Sequence, residues 1–323
     1  MNFDYNEEQQ LLADSVRRFL QKDYDFEKRK AILEKGWSEQ VWATFAELGL
    51  TGLPLSPDYG GFGGGAVDLM SVMEAFGEAL VVEPYLPTVL AAAAIAKAGS
   101  PEQKQSILPA VVQGKMRLAL ATGPRGVIGA PVADTIVFFR EGKLQAVERS
   151  SLELKPHRTL DDLAAADIAF QAEDSNPALD EVLDFGAALS CAEAVGAMKF
   201  ACDTTLEYLK TRRQFGVPIG AFQALQHRMV DMFIAYEQAK SMACLACSKI
   251  DSHENAADRA RAVSAGKIKI ADSARLISQE SVQLHGGMGM SEELKVSHTF
   301  RRLTVLARRF GDADRHLARF ASL

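Results

Sequence analysis

The sequence leads one to expect no membrane span, because its most apolar stretch, LPTVLAAAAIAKAG at 86–99, is too short and too rich in alanine. It also lacks an excess of positive charge. With 36 Lys and Arg against 42 Asp and Glu, the formal net charge is -6, which excludes a global basic field for nucleic acid. Cysteine is scarce, and the four present, Cys191, Cys202, Cys244 and Cys247, all fall in helical patterns, so no disulfide framework is expected. Cys244 and Cys247 have redox-like spacing, yet no strand precedes them and no proline or glycine makes the turn, so they read as packed structural thiols. The opening MNFDYNEEQQLL has no basic flank ahead of an apolar stretch. No secretory signal, membrane span or metal site is expected, and a cytoplasmic location is.

What is present falls into three parts. Residues 1–114 read as helices joined by short turns: Asn6 can cap a helix whose apolar face is Leu12, Val16, Phe19 and Leu20, and Trp37, Val41, Phe45 and Leu48 repeat the pattern before Gly49. Ser100-Pro101-Glu102-Gln103 is a capping box with proline in the first helical position. The glycines of YGGFGGG match no phosphate fingerprint and read as a packed turn. Residues 115–177 change period: DTIVFF and KLQAVE bracket an Arg140-Glu141-Gly142 turn, and ADIAFQ alternates. Residues 178–323 return to long helices, at 189–210, 221–250, 255–284 and 293–309. The expected fold is mainly α with a small β middle domain: an N-terminal helical domain, a reduced β domain and a C-terminal four-helix bundle.

Two segments of the third part carry a resemblance. YLKTRRQFGVPIGAFQALQHRMVDM at 208–232 and QLHGGMGMSEELKV at 283–296 resemble the acyl-CoA dehydrogenase family, in an order of domains that covers essentially the whole chain. The ending FGDADRHLARF further resembles small subunits of two-component enzymes of the pimeloyl-CoA dehydrogenase type. The resemblance implies FAD, held partly across a subunit interface. Arg212 falls where the family's arginine approaches the diphosphate, and Phe215 lies beside the adenine portion. Gln283, Gly286 and Gly287 match the segment that meets the adenosine and diphosphate of a neighbouring subunit's FAD. Guanidinium forks suit phosphate oxygens, and glycines let backbone amides come close. His285, inside the motif, reads as a packing residue.

The family's reaction takes the α-proton of an acyl-CoA thioester with a carboxylate while the β-hydrogen leaves as hydride to the flavin. Extending the family's last helices without gaps brings the usual glutamate to Phe310, which cannot accept a proton; Gly311 keeps the following glycine. The second place where the family puts its base falls on Gly186, beside Ala187. Asp184 and Asp312 are therefore the candidates for a relocated base, with Glu181 and Glu193 nearby. The middle domain passes directly from Thr122 to the Gly-Ala-Pro-Val-Ala-Asp segment, omitting some of the residues that contact the flavin ring in the family.

These features imply an FAD-dependent acyl-CoA dehydrogenase subunit acting with a homologous large subunit that supplies the base. The alternatives are a catalytically silent structural or acyl-CoA-binding subunit, and a homo-oligomer with a relocated base. An acyl-CoA substrate and an electron-transfer flavoprotein as acceptor go with these readings. Met229, Met232 and Phe233 are candidates for an acyl pocket, but such a stripe equally forms bundle core.

Overall fold

The computed structural model describes residues 5–169, 176–252 and 255–323. By backbone proximity the chain divides into two compact units, one of residues 27–69 and 81–186, the other of 1–26, 70–80 and 187–323.

In the first unit, most of α2 (Phe26–Lys35) leads to α3 (Glu39–Glu47), whose N-cap Ser38 accepts a hydrogen bond from the Val41 amide. Val41, Trp42 and Phe45 are buried along one face. Trp37 precedes the cap instead of joining that face, and its ring lies under the Arg117 guanidinium at 3.6 Å. Two Arg117 nitrogens in turn bind the Asp134 carboxylate, so this tryptophan stacks on a cation that is already paired. The glycine loop is a packed turn: Gly60 has φ +84°, and a Cβ on Gly61 would sit 2.1 Å from the Leu55 carbonyl oxygen.

Beyond it, α5 (Tyr85–Ala98) is apolar on every side because it is buried on nearly every side. Next comes α6 (Pro101–Val112), whose Ser100–Gln103 capping box is formed in both directions. Six strands follow where the period identified three. They are β1 (Leu118–Leu120), β2 (Val127–Ile128), β3 (Thr135–Arg140), β4 (Lys143–Glu148), β5 (Leu154–Arg158) and β6 (Ala164–Ile168). They form two three-stranded sheets, ordered β1-β3-β4 and β2-β6-β5. The missed strands are too short to show alternation, or are polar and exposed like β5. Phe170 and Gln171, the end of the expected third strand, lie outside the described residues. The chain passes from β1 to β2 through Ala121–Gly126, a shortcut closed by Gly126 N–H donating to Asp167 Oδ1 at 2.9 Å and Ile168 N–H to the Pro124 carbonyl at 2.8 Å.

The second unit holds α1 (Glu7–Asp23), opened by an Asn6–Gln9 capping box, and most of α4 (Ala66–Ala79). It also holds α7 (Pro177–Thr211) from Ala187 onward, α8 (Gln223–Asp251), α9 (Ala256–His285), α10 (Lys295–Leu306) and α11 (Ala313–Ser322). The expected four-helix bundle thus gains a fifth helix, α11, which starts from an Asp312 N-cap six residues after α10 ends. Among the described residues, α7 is the one helix long and apolar enough to cross a membrane, and 83% of its apolar window is buried inside the protein, as in a core helix. Helices α4 and α7 touch backbone to backbone. A Cβ on Gly77 would lie 1.8 Å from the Glu193 carbonyl oxygen, and one on Gly196 would lie 1.8 Å from that of Glu74. All four cysteines are free and buried, and burial raises the thiol pKa of each.

Candidate active site and cofactor-binding end of the bundle

The turn between α10 and α11 carries the position where a base is expected. Phe310 and Gly311 are both left-handed, with φ +62° and +111°, and Gly311 N–H donates to the Arg308 carbonyl at 3.1 Å. At Gly311 the φ of +111° favours glycine, and a Cβ there would also crowd the His316 ring at 3.0 Å. The half-buried Phe310 ring lies 5.3 Å from the Arg309 guanidinium. Asp312 is exposed, and its carboxylate accepts the Arg315 amide at 3.0 Å as the N-cap of α11. That bond satisfies a helix-end donor and uses the charge favourably at the positive end of the helix.

The other carboxylates differ. Glu193 is buried and holds Arg302 at 2.5 Å, with Arg309 at 3.7 Å, so its carboxylate is already engaged by two guanidinium groups. Glu181 pairs with Lys97 at 2.5 Å on a half-exposed surface. Asp184, 2% exposed, sits on the first turns of α7 and interacts with its neighbours. Asp184 and Asp312 belong to different units.

Two basic groups behind the turn are held away from their ordinary pKa. Burial lowers Lys267 to about 8, while its Nζ donates to the Leu306 carbonyl at 2.8 Å, at the negative end of α10. Burial, and then Lys267, lower His316 to about 4. The unfolded chain takes up this proton near 6.5 and the folded one only near 4. Stability therefore falls as pH drops through that window, by on the order of 2–3 kcal/mol from this group alone. Urea unfolding midpoints measured from pH 7 to 4.5 should show that slope in the native chain and a shallower one in His316→Gln.

At the end of α7, a two-strand hairpin of β7 (Arg213–Gln214) and β8 (Val217–Pro218) turns at Phe215 and Gly216, with φ +53° and +83°. Backbone bonds of 2.8 Å from Arg212 to Tyr208 and from Ile219 to Arg212 fix the hairpin to the helix. Phe215 is 90% exposed, its ring edge-on to Phe222 at 6.1 Å. The Arg212 side chain is exposed and makes no ion pair or hydrogen bond among the described residues. Composition gave no hint of this hairpin, although Phe215-Gly216 at its tip is a turn signal.

His285 is buried and stacks on Tyr208 with ring centroids 4.5 Å apart and an interplanar angle of 26°, while its Nδ1 lies 2.7 Å from the Ser281 carbonyl. Burial lowers its pKa. The stack ties the last turn of α7 to the last turn of α9. It thereby brings Arg212 and Phe215 to the same end of this unit as Gln283, Gly286 and Gly287. Gln283, Gly286 and Gly287 are exposed. Gly286 ends α9 at φ +61°. A Cβ on Gly287 would meet nothing within 4 Å, whereas one on Gly289 would strike the Val282 carbonyl at 2.4 Å. Gly289 is therefore required by the chain's own packing, and Gly287 is not. The cradle is open and has an unengaged guanidinium nearby, which fits a diphosphate-bearing group.

Beside the hairpin lies an apolar groove of 670 Å³, lined by Leu206, Leu209, Pro218, Met229, Val230 and Phe233. Val230, Phe233 and Ile234 are all about half exposed on α8, and Met232 faces the core. The methionine stripe thus splits between core and groove.

Family models for the acyl-CoA dehydrogenase N-terminal and C-terminal domains match residues 6–115 and 177–321. Acyl-CoA dehydrogenase IpdE2 of Mycobacterium tuberculosis is 31% identical over 301 residues, covering 92% of this chain and 91% of the relative. The chain therefore belongs to the acyl-CoA dehydrogenase family. Caffeyl-CoA reductase-Etf complex subunit CarC of Acetobacterium woodii is 24% identical over 358 positions, covering 93% of this chain and 94% of the relative. That alignment is longer than the 323-residue chain itself, so this relative carries residues the chain lacks, whereas IpdE2 has nearly its length. Among solved structures, the ChsE4-ChsE5 complex from Mycobacterium tuberculosis superposes with a TM-score of 0.90 at 22% identity, covering 100% of this chain and 98% of that one. PigA with FAD and proline superposes at 0.87 and 22% identity, covering 100% and 98%.

Proposed function

We propose that this chain is the base-free subunit of a two-component acyl-CoA dehydrogenase. It contributes cofactor-binding and structural surface to an assembly in which a homologous large subunit abstracts the α-proton. The observation that carries this reading is Phe310: at the expected base position stands a side chain that cannot accept a proton. Two of the candidate carboxylates are spent elsewhere, Asp312 on capping α11 and Glu193 on Arg302. A silent subunit accounts for more of these observations than one that performs the dehydrogenation itself.

The cofactor in this reading is FAD, as in the PigA complex that shares the fold. When bound, it supplies the acceptor for the β-hydrogen. Arg212 would hold its diphosphate, Gln283, Gly286 and Gly287 would cradle the adenosine and diphosphate, and Phe215 would flank the adenine. The Ala121–Gly126 shortcut leaves little backbone for the flavin ring in the chain's own middle domain, which favours service to a partner's FAD. The half-exposed apolar groove on α8 suits a subunit contact, and the ChsE4-ChsE5 complex provides a two-component precedent for the fold. Kinship with pimeloyl-CoA dehydrogenase-type small subunits and an electron-transfer flavoprotein acceptor belong to the same proposal.

The test is the visible spectrum and mass of the chain purified alone and after co-expression with an acyl-CoA dehydrogenase large subunit. Little flavin alone and a yellow, active hetero-oligomer together are expected. One FAD per chain, bleached by acyl-CoA without a partner, would overturn the proposal. The buried Asp184 would then be the relocated base, and Asp184→Asn should abolish the bleaching.

A further inference from the structure

The turn at Phe310 and Gly311 is held by groups that none of these functional readings uses. Two consecutive left-handed residues, one a bulky phenylalanine, do not persist unless their surroundings fix them. His316 reaches back from α11, its Nε2 lying 3.1 Å from the Phe310 carbonyl oxygen and its Nδ1 3.3 Å from the Ser264 hydroxyl on α9. A carbonyl oxygen only accepts, so Nε2 carries the proton and Nδ1 accepts from Ser264. One turn along α9, Lys267 donates to the Leu306 carbonyl where α10 ends. The segment from Leu306 to Gly311 is thus held at both ends by α9, at one end directly and at the other through His316. None of these bonds involves the side chain at position 310.

We propose that His316 is a positioning residue. By donating through Nε2 to the Phe310 carbonyl while Nδ1 accepts from Ser264, it holds the Phe310 peptide and the residue it carries in a single left-handed conformation. It acts through that peptide and touches no substrate. The clamp belongs to this chain alone and operates whether or not a partner supplies the base. Charged groups facing the ring, Lys267 from α9 and Arg315 and Arg319 from α11, oppose its protonation.

The test uses the full-length chain. In the unmodified protein, ¹⁵N-histidine NMR at pH 7 should show His316 as the neutral Nε2–H tautomer, and Ser264→Ala should keep that tautomer, because the Phe310 carbonyl dictates it. In His316→Leu, which keeps packing but loses the donor, the Gly311 amide should exchange at least about 10-fold faster, with core amides of α9 unchanged. His316→Gln, which retains an N–H, should restore slow exchange. Finding the Nδ1–H tautomer in the unmodified chain, or equal Gly311 exchange in the native protein and His316→Leu, would overturn the assignment. The tautomer measurement requires no variant, so it decides the question even if His316→Leu does not fold.

Discussion

Gly196→Ala is expected to be among the most destabilising single changes in this chain, lowering stability by at least about 3 kcal/mol and shifting the urea midpoint accordingly. Alanine favours an exposed helix interior over glycine by roughly 1 kcal/mol, so propensity alone predicts the opposite sign. The new methyl would lie 1.8 Å from the Glu74 carbonyl oxygen, a backbone atom that cannot rotate away. Relief requires helices α4 and α7 to move apart. That would open the region around Glu193, whose carbonyl faces Gly77 in the reciprocal contact and whose side chain holds Arg302 in a buried pair. A midpoint unchanged or raised in Gly196→Ala would show that the two helices do not meet backbone to backbone.

Arg212→Ala should strip flavin from the assembled hetero-oligomer, weakening FAD retention about 10- to 100-fold, the scale of a lost charge-assisted phosphate contact. The stability of the isolated chain should not change, because the guanidinium is exposed and unengaged. Gly287→Ala is the steric counterpart. Its methyl would enter space that no atom of the chain occupies within 4 Å, so the fold should tolerate it, while a cofactor lying against the cradle should not. Equilibrium dialysis of FAD and thermal melts on the same samples separate the two effects. Undiminished FAD in both variants would remove the diphosphate from this end of the bundle and with it the proposed division of labour.

Much of this architecture could be read from the sequence where local chemistry and burial agree. The Asn6 and Ser100 caps formed as their residue types predict, and the apolar stretch of α5 is buried as its lack of periodicity implies. Trp37 misled because an aromatic one residue before a Ser38 cap continues the apolar rhythm of the helix, whereas its ring is engaged by Arg117 from 80 positions along the chain. The fifth helix was hidden by its length and its arginines. The signal was nonetheless available in Gly-Asp-Ala-Asp, a glycine followed by a capping acid and a second acid in the first turn. Reading Asp312 as a cap instead of a base candidate depended on seeing that helix. The pairing of Glu193 with Arg302 spans more than a hundred residues and has no local signature at all. The cradle at Gly286 and Gly287 could be named from the motif. That Gly287 answers to nothing inside the chain, while Gly289 does, required coordinates.

The short passage between β1 and β2 has a thermodynamic side. Joining two sheets through a handful of residues, pinned by Asp167 and Pro124, confines the unfolded chain less than a long connection would have to be confined on folding. Each doubling of that connection would cost only about 0.6 kcal/mol in closure entropy. The cost is small but falls entirely on the unliganded protein, since inserted residues would have nothing to lie against until a flavin ring arrived. A version of this chain lengthened at Gly123 should therefore be slightly less stable when empty and regain that loss only when it is loaded. Flavin occupancy, not folding, is then what such a loop would be selected for.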